Sequence, residues 1–273
     1  MIRPDRFTLT IEVVPPGGSS AQPLLLELLK LANLKFDGFS VATNPLAKPC
    51  MSAMVICALI EKQIGKPAIL HCTPRDHNRL GVFSLLTGAK ALGIETVLVA
   101  TGDFVALKDR EHNRSVYDMN VFDLVEKARE IGLKTGVVLD PNPGSPGFEE
   151  AVKRLERKVA AGAQFVVTQP VYDVSGVNLL AEVTRHLGVP LLMGILPLRT
   201  VRHAEFLHHR VSGISVPKAV RERMAQADDT VAEGAANARE MLAAARESFA
   251  GACIMPPFNH YEVMAEIIET GDQ

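Results

Sequence analysis

Several common signatures are missing from this 273-residue chain, and each absence closes off a class of function. No apolar run reaches the roughly 18–20 residues that a membrane helix needs. The N-terminus, Met1-Ile2-Arg3-Pro4-Asp5-Arg6, has no apolar signal-peptide core behind its charges. A cytoplasmic protein with no membrane partner is expected. Neither sign of charge dominates: Lys+Arg 29 against Asp+Glu 31 leaves a formal net charge of -2. That balance argues against a broad electrostatic footprint, so no nucleic-acid partner is expected. Of the four cysteines, Cys50, Cys57, Cys72 and Cys253, none forms a C-x-x-C pair. Zinc and iron–sulfur sites therefore find no local ligand spacing, and the thiols read as small apolar fillers kept reduced in the cytosol. There is no H-E-x-x-H, no G-x-S-x-G turn for a nucleophilic serine, and no G-x-G-x-x-G after an early strand.

What is present is a repeated alternation. Hydrophobic residues make up 47% and charged residues 22%, enough for a sizeable core. Strand-like runs at 7–14, 39–42, 68–72, 96–100, 135–139, 165–168, 190–194 and 252–255 alternate with helical spacing. Helices are expected over 23–34, 51–62, 121–130, 149–161, 177–186, 201–210 and 231–249, with a last one from Tyr261. Another should start at Thr73-Pro74-Arg75-Asp76, with a hydroxyl at the N-cap, proline at N1 and acid at N3, and run to about Leu92. The polar stretch 104–115 is the one long irregular insertion, and 212–217 is less regular. Eight strand–helix units with short connections predict parallel strands and right-handed crossovers. The expected fold is α/β, a single-domain (β/α)8 TIM barrel over residues 1–273. An open doubly wound sheet is the runner-up.

The first strand sharpens the choice. Phe7, Leu9, Ile11 and Val13 face one way; Thr8, Thr10 and Glu12 face the other. Glu12 either lies in solvent on a half-wet strand or points into a barrel near its mouth. In a barrel, functional groups gather where strands run into the loops before their helices. Those positions hold Glu12, Thr43-Asn44, His71, Asp103, Asp140–Asn142, Gln169, Arg199 and Asn259. The set suits a site that positions a polar ring system and handles protons, without naming a substrate.

Seven fragments in register then resemble one family. They are Ile11-Glu12-Val13-Val14-Pro15-Pro16, Leu70-His71-Cys72-Thr73, Thr101-Gly102-Asp103, Arg157-Lys158-Val159-Ala160-Ala161-Gly162-Ala163, Val167-Thr168-Gln169-Pro170, Gly194-Ile195-Leu196-Pro197 and Met255-Pro256-Pro257-Phe258. Their order is similar to that of methylenetetrahydrofolate reductases, nearest the short bacterial catalytic form. The resemblance implies an FAD enzyme of one-carbon metabolism and methionine biosynthesis that interconverts 5,10-methylenetetrahydrofolate and 5-methyltetrahydrofolate by a ping-pong cycle. It implies Glu12 as the general acid and Asp103 as a catalytic carboxylate beside the rings, with Gln169, Glu12 and Asp103 contacting folate. Thr43, His71, Thr101, Gly102, Asp103, Tyr117, Arg154 and Lys158 become the expected flavin contacts; spacing alone favours an ordinary charged helix face for Arg154 and Lys158, and the resemblance moves Lys158, and less so Arg154, toward a phosphate.

Some positions depart from the family pattern. Ala42 stands where threonine is common, and the flavin-side motif reads His71-Cys72-Thr73-Pro74-Arg75. At Leu207 an aromatic that stacks on nicotinamide in some reductases is missing. Electrons from NADH or NADPH, or from an electron-donor partner protein, are both implied, as is a homo-oligomer. Two rivals stay open: a pterin-binding barrel that passes a methyl group to a corrinoid protein, and a non-catalytic or electron-relay subunit.

Overall fold

The computed structural model describes residues 1–2, 5–116 and 118–269. Tyr117, expected near the flavin, lies outside the described residues. Eight strands close into a barrel in sequence order: β1 Thr8–Val13, β2 Gly38–Val41, β3 Ala68–Cys72, β4 Thr96–Val99, β5 Lys134–Leu139, β6 Phe165–Pro170, β7 Leu191–Ile195 and β8 Gly251–Ile254. Every neighbouring pair is parallel, and β1 pairs with both β2 and β8, which completes the ring. Closure decides the fold in favour of the barrel over the open sheet. The surrounding helices are α1 Gln22–Leu29, α2 Ala53–Gln63, α3 Arg79–Ala91, α4 Val121–Glu130, α5 Phe148–Ala160, α6 Val174–Thr184, α7 Val201–Arg210, α8 Lys218–Gln226, α9 Thr230–Ser248 and α10 Met264–Ile267. None is long and apolar enough to cross a membrane among the described residues.

The period-2 pattern of β1 sorts its side chains as a barrel wall must. Leu9, Ile11 and Val13 join the core between strands and helices. Thr8 and Thr10 are fully buried on the opposite, inward face, and Glu12 follows them to the rim. The lower lumen is closed by a separate apolar cluster of Ile2, Ile69, Leu98, Phe165, Val167, Leu192 and Cys253. Phe165 fills the space that Gly136 leaves on β5: a Cβ at position 136 would lie 2.2 Å from its ring.

Two local readings need correction. Residues 73–76 do not begin a helix; α3 starts at Arg79, where Asn78 accepts the Gly81 N–H. The physical reason is that Asp76 is occupied. Arg75 donates to both its carboxylate oxygens, at 2.6 and 2.7 Å, so the acid cannot cap a helix start. The second is the less regular stretch at 212–217, which leads straight into the helix α8. That helix presents only Val220 and Met224 to a satellite core with Tyr172, Leu198, Ala204 and Leu207. Two apolar residues one turn apart are a thin periodic signal.

Candidate active site

The strand ends meet at one mouth. Glu12 ends the inward row of β1, opposite Ser40 in the β1–β2 register. Burial first, then the negative charge of Asp103, pushes its carboxyl up to about 7. That coupling places Glu12 and Asp103 on the same rim although 91 residues separate them. Asp103 follows Gly102, whose φ of +84° suits glycine; a Cβ there would press on Thr73 and Arg75 at 3.2 Å. Its Oδ2 accepts the N–H of Leu46 at 2.6 Å, tying the β4 loop to the β2 loop.

A buried arginine organises this side of the rim. Arg75, 5% exposed, grips Asp76 and also donates to the carbonyls of Asp103 and Asn44, both at 3.1 Å. Asn44, at φ 41°, donates to Asp76 and accepts the Cys50 N–H. Loops after β2, β3 and β4 are thereby cross-linked by one charge network. Between the β2 and β3 loops opens a cavity of about 230 Å³ whose walls include Thr43, Asn44, Cys50, His71, Thr73 and His77. The Thr73 hydroxyl is buried there without a hydrogen-bond partner, a cost that a bound polar ligand would remove. His71 is held down to about 4 by burial, so its ring is neutral.

Across the mouth, β6 carries Gln169. The β6–β7 register shifts between Val167 and Pro170, and the Thr168 hydroxyl accepts the Gly194 N–H at 3.0 Å. Such a bulge re-aims the next side chain. Gln169 hydrogen-bonds Asp140 at the end of β5, whose carboxyl is raised by burial and by Asp103, while Gln169 and Lys158 act the other way. Lys158 sits beneath, 8% exposed, its ammonium donating to the Val138 carbonyl at 2.6 Å. Burial, then Arg154, pull it down to about 8. The mouth thus gathers the carboxyls of Glu12, Asp76, Asp103 and Asp140, the amides of Asn44 and Gln169, the neutral His71 ring and the buried cations of Arg75 and Lys158.

Comparison with known proteins identifies the family. Residues 1–269 match the family model described as methylenetetrahydrofolate reductase. The chain belongs to the methylenetetrahydrofolate reductase family. It is 20% identical over 217 residues to the 5,10-methylenetetrahydrofolate reductase of Buchnera aphidicola subsp. Schizaphis graminum, covering 78% of this chain and 73% of that one. A probable methylenetetrahydrofolate reductase (NADPH) of Caenorhabditis elegans is 26% identical over 156 residues, 54% of this chain but 23% of its own length. The chain thus spans about a quarter of that longer relative. Among solved structures, an uncharacterized protein from Clostridium thermocellum that binds two copies of 5-methyl-5,6,7,8-tetrahydrofolic acid superposes with a TM-score of 0.70. It shares 16% identity, over 97% of this chain and 93% of that one, which speaks to the fold.

Within this family member, the expected site residues divide into two groups. Glu12, Thr43, His71, Asp103 and Gln169 come to the mouth, with Thr101 and Gly102 in the loop that carries Asp103. Lys158 lies just under the rim. Arg154 is exposed on α5, its guanidinium 6.0 Å from the Phe122 ring of α4 and its charge close enough to lower Lys158. Leu207 is buried in the satellite core with Tyr172 and Leu198. Sequence reasoning missed Ser40, Asp140 as a partner of Gln169, and Arg75. Strand-end position was the available signal for Asp140. Nothing local marks Ser40, whose importance arises from its neighbours on β3 and β8.

Proposed function

We propose that this protein catalyses the flavin-dependent reduction of 5,10-methylenetetrahydrofolate to 5-methyltetrahydrofolate, or the reverse oxidation. The observation that carries the proposal is the Glu12 carboxyl, raised to about 7 at the mouth of a barrel matched end to end by this family. Opening the five-membered ring of the folate to a 5-iminium cation needs a proton on N10. Glu12 is protonated near neutrality and supplies it, a role worth about 10²–10⁴ in rate. Asp103, coupled to Glu12, stabilises the cationic carbon–nitrogen unit. Gln169, oriented by Asp140, hydrogen-bonds the pterin. The related Clostridium thermocellum barrel, which binds methyltetrahydrofolate, supports a folate-sized mouth in this fold.

FAD fits the donor set. The unpartnered Thr73 hydroxyl, Thr43 and His71 line a cavity for a polar ring, and Lys158 is a buried cation available to a phosphate once it leaves the Val138 carbonyl. When bound, FAD supplies the hydride for the folate carbon. Its reductant is NADH, NADPH or an electron-donor protein.

The test starts with absorbance of the purified protein. A flavin spectrum, bleached on anaerobic mixing with 5-methyltetrahydrofolate, is the expected result. Colourless protein that takes up no FAD would overturn the proposal in favour of a methyl-transferring or relay role.

A further inference from the structure

We propose that Ser40 is a positioning residue that holds His71 in its Nδ1–H tautomer, so that the imidazole offers a hydrogen-bond donor to an acceptor atom of a planar ring bound at the mouth. Ser40 Oγ lies 2.7 Å from His71 Nε2 across the β2–β3 pair. That bond can run in either direction, and its direction decides which ring nitrogen carries the proton.

The surroundings of Ser40 settle the direction. The hydroxyls of Thr10 and Ser40 both lie within hydrogen-bond reach of the Cys253 sulfur. Thr10 gives its own proton to the Ala252 carbonyl, at 3.4 Å. Burial first, then the charge of Glu12, pushes the Cys253 thiol up to about 12, so the sulfur keeps its proton and is a weak acceptor. Glu12, opposite Ser40 in register, forms no hydrogen bond with it. The strong acceptor left for the Ser40 proton is His71 Nε2, which must then be bare. Because burial keeps the ring neutral, its single proton sits on Nδ1. That nitrogen has no partner among the described residues, and His71 lines the cavity beside Thr43 and Thr73. The titratable groups facing the pair are Glu12 from β1 and Cys253 from β8, and neither needs to change charge.

The ligand half of this inference rests on the flavin reading above: a ring carbonyl or bare ring nitrogen is favoured against His71, and an N–H edge is disfavoured. The tautomer half stands alone. Histidine-selective ¹⁵N NMR on the protein as purified, and again after small molecules are stripped, reads both ring nitrogens directly. A bare-type Nε2 and protonated-type Nδ1 for His71 are expected. Ser40→Ala should mix the two tautomers, Ser40→Thr should restore the native pattern, and Cys253→Ala should leave it intact. A protonated Nε2 in the native protein, or a tautomer unmoved by Ser40→Ala, would overturn the assignment. In parallel, FAD titration should weaken about tenfold in Ser40→Ala and recover in Ser40→Thr. Unchanged FAD affinity alongside a moved tautomer overturns the donor role. A native protein that takes no FAD overturns the ligand half together with the flavin reading, while the spectrum still decides the tautomer.

Discussion

The two ends of the barrel lumen use the same inward-facing positions for opposite purposes. The lower end is packed shut by Ile2, Ile69, Leu98, Phe165 and Leu192. At the upper end, the continuation of the same strands carries Glu12, Ser40, His71 and Gln169, with a cavity opening beside them. On β1 alone, Thr8 and Thr10 are fully buried while Glu12 is only half-buried, two residues further on. Closely packed apolar groups at the bottom stabilise the barrel and hold the strands in register. At the top, the Thr73 hydroxyl beside the cavity is buried without a partner, which costs stability and leaves capacity for a ligand.

Substitutions at the two ends should therefore separate activity from stability. The largest expected effect is at the top: Glu12→Gln removes the proton source and should slow folate turnover about 10²–10⁴-fold while FAD binding persists. Rapid-mixing kinetics of the folate half-reaction checks this, and normal turnover would remove Glu12 from the mechanism. At the bottom, Phe165→Ala should cost about 3–5 kcal/mol in denaturant unfolding, since it empties a fully buried site that Gly136 shapes. A loss of stability no larger than that of an exposed residue would mean that the lower lumen is not a packed plug.

The next effect sharpens the comparison through pH. The Glu12 carboxyl is raised from an ordinary 4.5 to about 7 in the folded protein. Folding therefore binds its proton more tightly, and the native state loses stability as pH rises from about 4.5 to about 7. Glu12→Gln abolishes that loss. The variant should match the native protein in thermal stability near pH 4 and exceed it at pH 8; equal melting temperatures at both pH values would contradict the burial of this carboxyl. The smallest effect concerns Asp103, whose charge is the lesser cause of the shift. In Asp103→Asn the pH at which folate-half-reaction rates fall should move down by less than the whole displacement of Glu12. A limb that stays in place would mean the two carboxylates are uncoupled.

Much of this architecture was legible in one dimension. Alternation along β1 separates Leu9, Ile11 and Val13 from Thr8, Thr10 and Glu12 because a strand has a period of two, whatever it packs against. Strand ends collect at the mouth of a parallel barrel, so Glu12, His71, Asp103 and Gln169 could be named from position alone. Local signals failed where side-chain partners are distant. The helix start at Thr73-Pro74-Arg75-Asp76 has good capping chemistry, yet Arg75 withdraws Asp76 into a network that also grips Asn44 and Asp103. Arg154 and Lys158, one turn apart on α5, differ in depth: Lys158 is buried against the Val138 carbonyl while Arg154 is exposed, a difference that spacing alone does not reveal.

The chain by itself determined the order of strands and helices, the two faces of β1 and the family, because these follow from periodicity and contiguous motifs. Only the closed barrel decided which charges meet. Whether Glu12 is an ordinary solvated acid or a proton donor poised near neutrality depends on burial and on a carboxylate 91 positions away. Whether Ser40 is a filler or a director of His71 depends on β3 and β8 closing around it. Electrostatic energies and hydrogen-bond directions are set by distance in space, and that distance exists only once the eighth strand has joined the first.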